Sequence, residues 1–342
     1  MPGSWLASLE EQARHVLPEI IFEYYRQGSR DSISADEAVA AWQRIRLLPR
    51  VLNDVREVAL GTTVLGKPAP LPFGVAPTTL QRAADAGGEV SMARGCAAAG
   101  VPLVLSSNAT ASFGDVAATG ADWWLQAYLP QRRDAALPML EAAVAAGARA
   151  IVLTVDTPVV ATKYYSGGAG ALTAVPPEWL RTNLGAAADE PKATDLGPAD
   201  IAWLATATGL PVVVKGVLHR DDARRAADAG AAAVWVSNHG GRQLDRCAAT
   251  ADCLGAVVSE LGGQVDVYVD GGIRDGISAL HALALGADAI FFGRLPLFSL
   301  AIAGSEGVER LFADLTEQVV EAFRLAGCAD LRAVRALSNS QY

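Results

Sequence analysis

Charge is scarce in this sequence. Only 19% of its 342 residues are charged, and 28 Lys and Arg fall short of 37 Asp and Glu, for a formal net charge of −9. No Lys/Arg run offsets that balance, so nucleic acid is repelled, and a small anion is held only where a few basic residues converge. Cysteine is also rare. Cys96, Cys247, Cys253 and Cys328 form no CxxC pair and have no zinc-ligand spacing with a histidine. That argues against a disulfide framework or a metal site and for free thiols. No segment approaches ~18 uninterrupted apolar residues, so no membrane span is expected. The opening MPGSWLASLEEQARH lacks the basic and apolar regions of a signal peptide, and a cytoplasmic location is expected. No GxGxxG follows the first apolar run, which argues against a dinucleotide site.

What is abundant is apolar: 51% of the residues are hydrophobic, enough for a large core without staples. Short apolar runs alternate with alanine-rich stretches of helical period. The runs are Phe73–Thr78, Pro102–Ser107, Asp122–Tyr128, Ala150–Pro158, Pro211–Val217, Ala232–Asn238, Val265–Gly272 and Ala289–Arg294. Continuous apolar strands suit a parallel sheet buried on both faces. Several of the helical stretches end in a glycine that fits a left-handed cap, at Gly100, Gly147, Gly230 and Gly286. Eight strand–helix units in unbroken succession predict a (β/α)8 TIM barrel over 70–303; a doubly wound sheet is the rival. Residues 1–60 read as an N-terminal helical extension with a break near Gly28. A long irregular loop, 159–198, follows the fourth strand, and 304–342 reads as a C-terminal helix.

Barrel active sites lie at the C-terminal ends of the strands. Those ends carry Pro77 and Thr78, Ser106, Gln126 and Tyr128, Thr154 and Asp156, Lys215, Ser237 to His239, Asp270 to Arg274, and Gly293 with Arg294. The seventh and eighth tips, DGGIR and GR, predict a phosphate site: Gly271, Gly272 and Gly293 let backbone approach, and Arg274 and Arg294 supply forked donors. The sixth tip reads SNHGGRQLD. An imidazole at His239 beside a fixed cation at Arg242 suits proton abstraction from a hydroxy acid, and Asp156 is placed to pair with the imidazolium. Lys215 ends the apolar run VVVKG, where an unpaired ammonium is costly, so it needs an anionic partner; a Schiff-base lysine is the alternative.

Taken in order, TVDTP, VVKGV, VSNHGGRQLD, DGGIR and FFGR resemble the FMN-dependent 2-hydroxy acid oxidase and dehydrogenase family, which includes glycolate oxidase, lactate oxidase, mandelate dehydrogenase and hydroxymandelate oxidase. The likeness runs from LPEIIFEYYRQG to RLAGCADLRAVR, nearly the whole chain. It implies FMN as cofactor, a small 2-hydroxy acid as substrate, a 2-oxo acid as product, and a homo-oligomer, a tetramer. It also implies the site. Pro77, Thr78 and Ser106 approach the flavin, Gln126 and Thr154 bond its polar edge, and Ser237 continues that lining. Lys215 stabilises charge on the reduced ring, and Asp270, Gly272, Arg274, Gly293 and Arg294 hold the ribityl chain and phosphate. His239 is the base and Asp156 its partner. Tyr128 bonds the substrate hydroxyl, while Arg242 and Tyr24 bond the carboxylate.

Two positions depart from the family pattern. Lys163 stands where the family carries an arginine, so a planar fork becomes a point charge. Asn108 stands where several relatives carry tryptophan, which implies a roomier, more polar pocket with Tyr164, Tyr165 and Trp124 as candidates to shape it, core packing being the default for Trp124, and a larger or aromatic, mandelate-like substrate. Two other readings remain: a barrel enzyme without flavin acting on a phosphorylated ligand, or a relative with an altered substrate in secondary metabolism. The electron acceptor, oxygen or another, is not specified by these residues.

Overall fold

The structure is a computed structural model that describes residues 5–164 and 170–337. Eight parallel strands close into a barrel: β3 (Phe73–Val75), β4 (Leu103–Ser106), β5 (Trp123–Ala127), β6 (Ile151–Thr154), β7 (Val212–Val217), β8 (Ala233–Val236), β9 (Asp266–Val269) and β10 (Ala289–Phe292). Strand β10 pairs with β3, which closes the ring. Each predicted run contains one strand. Two shorter strands, β1 (Thr62–Val64) and β2 (Lys67–Ala69), precede them as an antiparallel hairpin.

Helices α1 (Leu9–Val16), α2 (Glu19–Arg26) and α3 (Ile33–Arg44) form the N-terminal extension, with the expected break between α2 and α3. The expected helical stretch ends at Arg44; 45–61 is irregular. The outer ring comprises α4 (Gly88–Ala99), α5 (Phe113–Ala117), α6 (Leu137–Ala145), α8 (Pro198–Thr208), α9 (Arg220–Asp228), α10 (Thr250–Leu261), α11 (Gly276–Ala284) and α12 (Arg294–Leu325). Helix α12 breaks at Ala303 and Gly304, the expected end of the barrel segment, and packs on α4, α11 and α1. A short α13 (Leu331–Arg335) follows. Among the described residues the insertion after β6 holds one turn of α-helix, α7 (Gly170–Thr173), and two 3-10 turns, Pro177–Arg181 and Gly185–Asp189.

Side chains alternate across each strand, and this positions the site. Leu105, Leu125, Leu153, Val214, Val236 and Phe292 face the helices and join the main core. Val104, Trp124, Val152, Val213, Trp235, Tyr268 and Phe291 face inward and form a separate apolar cluster that fills the barrel. Val64 of the hairpin joins this inner cluster from below. The Leu65 amide there donates to the Tyr268 hydroxyl (3.0 Å) and to Asp266 Oδ2 (3.1 Å). Trp124 takes the core-packing role expected of it by default and is fully buried in this inner core, so it does not shape the substrate pocket.

Candidate active site

Two residues beyond the apolar layer, the same inward phase arrives at Ser106, Gln126, Thr154, Lys215, Ser237, Asp270 and Gly293. One more step along β5, β6 and β8 reaches Tyr128, Asp156 and His239. A period of two thus converts the floor of hydrophobic side chains into a polar mouth. A cavity of about 400 Å³ opens there, with Phe291 in its floor.

His239 and Asp156 meet across strands β8 and β6. The imidazole Nδ1 lies 2.8 Å from Asp156 Oδ1, which leaves Nε2 for the cavity that His239 lines. The His239 backbone is left-handed, with φ 58°, a conformation uncommon outside glycine. Its amide donates to Ser237 Oγ (3.1 Å), which fixes the turn. Thr157 Oγ1 donates to Asp156 Oδ1 (3.0 Å) and accepts from Gln243 Nε2 (2.7 Å), bracing the carboxylate from behind. Burial alone would raise the Asp156 carboxyl; the His239 and Lys215 charges outweigh it and hold it below the usual carboxylate range. Gly216 makes room for that carboxylate. Its φ is +106°, a register shift falls between Lys215 and Val217, and a Cβ there would lie 2.6 Å from Asp156 Cγ.

Lys215 has the anionic partner its position required, and that partner is Asp270. Its ammonium lies 2.9 Å from Asp270 Oδ2 and donates to Ser237 Oγ (2.8 Å), which donates to Asp270 Oδ1 (2.7 Å). Ser237, expected in the cavity lining, lies behind this pair with no exposed surface and is consumed by it. An ammonium so engaged does not favour the Schiff-base alternative, which needs a free amine.

Arg242, after the turn, donates through one guanidinium nitrogen to the carbonyls of Tyr24 (2.6 Å) and Gln27 (2.8 Å) and lies 4.9 Å from the Tyr24 ring centre. Its other nitrogens have no partner among the described residues and border the cavity, as do Tyr24 and Tyr128. Burial, with Asp156 nearby, pushes the Tyr128 phenol above its ordinary range, so it serves as a neutral hydroxyl.

The opposite end of the cavity has unmet demands. Gln126 Oε1 accepts from Ser106 Oγ (3.3 Å), but Gln126 Nε2 and Thr154 Oγ1 are buried and have no partner among the described residues. Arg274 has neither a hydrogen bond nor a carboxylate partner among the described residues, and burial lowers its pKa. Arg294 donates only to carbonyls, of Tyr25, Gln27 and Gly240, and burial with the neighbouring arginines pushes it down to about 9. Pro77, Thr78, Gly271, Gly272 and Gly293 line the same space. The glycine at 272 has a packing cause: a Cβ would fall 2.3 Å from the Ala38 carbonyl oxygen. At Gly293 the nearest atom to an added Cβ is Thr78 Cγ2, 3.9 Å away, so that backbone is open to close approach. Two buried guanidiniums without an ion pair among the described residues and a set of orphaned polar groups fit a phosphate-bearing cofactor with a polar ring edge, such as FMN.

Asn108 and Lys163 both reach the cavity. The Lys163 ammonium is held by the carbonyls of Ala161 (3.1 Å) and Arg242, and burial together with the Arg242 charge pushes it down to about 8. Tyr164 is exposed, bonded to Arg30 and outside the lining; Tyr165 and the adjoining 166–169 lie outside the described residues. Sequence reasoning missed Lys192, which enters the cavity from the insertion, with its ammonium 3.7 Å from the Tyr128 ring centre. Nothing periodic in EPKATD marks it. Thr157 and Gln243 were also missed, although each adjoins a named site residue.

Comparison with known proteins agrees with this geometry. Residues 13–339 match the family described as FMN-dependent dehydrogenase. The chain is 38% identical to human (Homo sapiens) 2-hydroxyacid oxidase 1, over 95% of this chain and 93% of that one. It is 38% identical to 4-hydroxymandelate oxidase of Amycolatopsis orientalis, over 98% and 97%. Among solved structures, a mandelate oxidase with benzoyl-formic acid superposes with a TM-score of 0.89 at 38% identity, covering 96% of each chain. The chain belongs to the FMN-dependent dehydrogenase family, and is an oxidoreductase of the 2-hydroxy acid oxidase kind.

Proposed function

We propose that this enzyme oxidises a 2-hydroxy acid to the 2-oxo acid, with His239 Nε2 taking the substrate proton. The observation that carries this is the His239–Asp156 pair at 2.8 Å, set beside the uncommitted nitrogens of Arg242 on one cavity wall. Arg242 forks the substrate carboxylate, and Tyr24 completes that grip. The Tyr128 hydroxyl bonds the substrate hydroxyl, so the carbinol is held against Nε2. Asp156 orients the ring through Nδ1 and stabilises the imidazolium as it forms. FMN supplies the two-electron acceptor at the alcohol carbon. Gln126 and Thr154 would hold its polar edge and Arg274 and Arg294 its phosphate, and Lys215, within its own ion pair, would supply positive charge to the reduced ring. Electrons pass on to oxygen or another acceptor, and the enzyme works in the cytoplasm as a homo-oligomer.

The test is anaerobic mixing of the purified protein with a panel of 2-hydroxy acids while the flavin colour is followed. The wild type bleaches, and His239→Gln retains FMN but bleaches about 10²–10⁴-fold more slowly. A variant that bleaches at the wild-type rate places the base elsewhere, and a protein that cannot be reconstituted with FMN overturns the reading.

A further inference from the structure

The charges around the cavity do not balance for a monocarboxylate substrate. Among the described residues six cationic side chains line it, Lys163, Lys192, Lys215, Arg242, Arg274 and Arg294, against one lining carboxylate, Asp270, and the Asp156 carboxylate, which is paired to His239. Asp270 is committed to Lys215. The cofactor phosphate answers Arg274 and Arg294, and the substrate carboxylate answers Arg242. Lys163 and Lys192 remain, neither with a carboxylate within ion-pair distance among the described residues. Lys163 is satisfied in part by two carbonyls. Lys192 makes no hydrogen bond through its ammonium among the described residues, which rests on the Tyr128 ring face.

Lys192 is not a loose surface lysine. The Gln131 amide donates to the Pro191 carbonyl (2.8 Å) and the Ala193 amide to the Leu129 carbonyl (2.9 Å). These bonds stitch the insertion antiparallel onto the segment just after Tyr128. Backbone pairing therefore fixes the ammonium beside the residue that meets the substrate hydroxyl. A group that reaches the Tyr128 hydroxyl and a group that reaches Lys192 fit within one small molecule. Burial also lowers the Lys192 ammonium to about 8, and the charge of Asp156, beyond ion-pair distance, offsets only part of that cost.

We infer that Lys192 recognises a second anionic group, so the preferred substrates are short 2-hydroxy dicarboxylates such as 2-hydroxysuccinate. The inference rests on the proposed oxidation for its chemistry, but its selectivity is measurable by binding alone. The experiment compares holoenzyme, Lys192→Met and Lys192→Arg in two assays. One takes kcat/KM for anaerobic flavin bleaching by 2-hydroxysuccinate against 2-hydroxybutyrate. The other takes calorimetric Kd values for the unreactive pair succinate and butyrate. The wild type favours the dianion in both, Lys192→Met lowers that preference about tenfold or more, and Lys192→Arg retains most of it. Equal losses for both members of a pair assign Lys192 to support of Tyr128 and overturn the inference, as does a wild type that favours the monoanion. Absence of bleaching by 2-hydroxysuccinate while other 2-hydroxy acids of the panel bleach the flavin overturns the inference and leaves the proposed oxidation standing; absence of bleaching by the whole panel refutes the oxidation, and the succinate–butyrate ratio still decides the role of Lys192.

Discussion

Gly216→Ala tests the proposed catalytic pair, His239 and Asp156, without touching either member. Gly216 sits at φ +106°, where an alanine is strained, at a cost of about 1–3 kcal/mol in stability. The added Cβ would lie 2.6 Å from Asp156 Cγ and 2.9 Å from its Oδ2, so the carboxylate must move. Its 2.8 Å contact with His239 Nδ1 is then lost or lengthened. A hydrogen bond to a charged group is worth about 1.5–3 kcal/mol, and this one strengthens as the imidazole gains its proton. The expected result is flavin reduction about 10- to 150-fold slower, with FMN content unchanged and a lowered midpoint of thermal unfolding. Asp156→Asn should slow reduction comparably. In the double variant the two losses should not add, because both act through one contact. Reduction within about threefold of wild type in Gly216→Ala, or full additivity in the double variant, refutes the reasoning.

Arg274→Ala removes a cation that has neither a hydrogen bond nor an ion pair among the described residues, so two opposite effects are expected. FMN binding by the apoprotein weakens about tenfold or more, and the cofactor-free protein becomes no less stable or gains stability. Fluorescence titration with FMN and denaturant unfolding of the apoprotein check these in turn; unchanged affinity moves the phosphate elsewhere. The pH dependence of dianion binding follows from Lys163 and Lys192, both pushed down to about 8 mainly by burial. They carry charge at neutral pH and lose it as pH rises through that value, while a bound anion draws the proton back. Succinate binding should therefore take up protons and weaken above about pH 8, seen by calorimetry in buffers of different ionisation enthalpy. Binding without proton uptake removes both lysines from the ligand.

The barrel was legible because parallel strands covered on both faces must be apolar throughout, and each run is bounded by helical period. The hairpin under the barrel was not, although its signal was present. Leu65 and Gly66, at φ 48° and 72°, make a two-residue turn between Val64 and Lys67, but the strands are three residues each and Pro68 in the second removes a ladder donor, which weakens the strand signal. At the mouth, strand period brought named residues to one cavity without telling which of them consume one another. The sequence motif VVVKG required an anion for Lys215, and only the folded chain identifies Asp270 in place of an external ligand. Lys192 lies outside any period, placed by main-chain pairing between two irregular segments, and no composition argument reaches such a contact.

The two ends of the barrel differ in a way that locates the site without reference to fold type. At the lower end polar groups satisfy one another: Arg149 and Lys67 share Asp122, and Tyr268 donates to Asp266 while accepting from the Leu65 amide. At the upper end a left-handed His239, a bulge at Gly216, orphaned Gln126 and Thr154 atoms and uncompensated cations accumulate within one cavity. Each costs stability, and none improves packing. Local rules broken together at one end, beside a floor of fully buried Trp235, Tyr268 and Phe291, require compensation from bound molecules. The bound partners must therefore be anionic at both extremities of the cavity. In the proposed arrangement FMN meets that demand at Arg274 and Arg294, which leaves the substrate to carry the remaining negative charge toward Arg242 and Lys192.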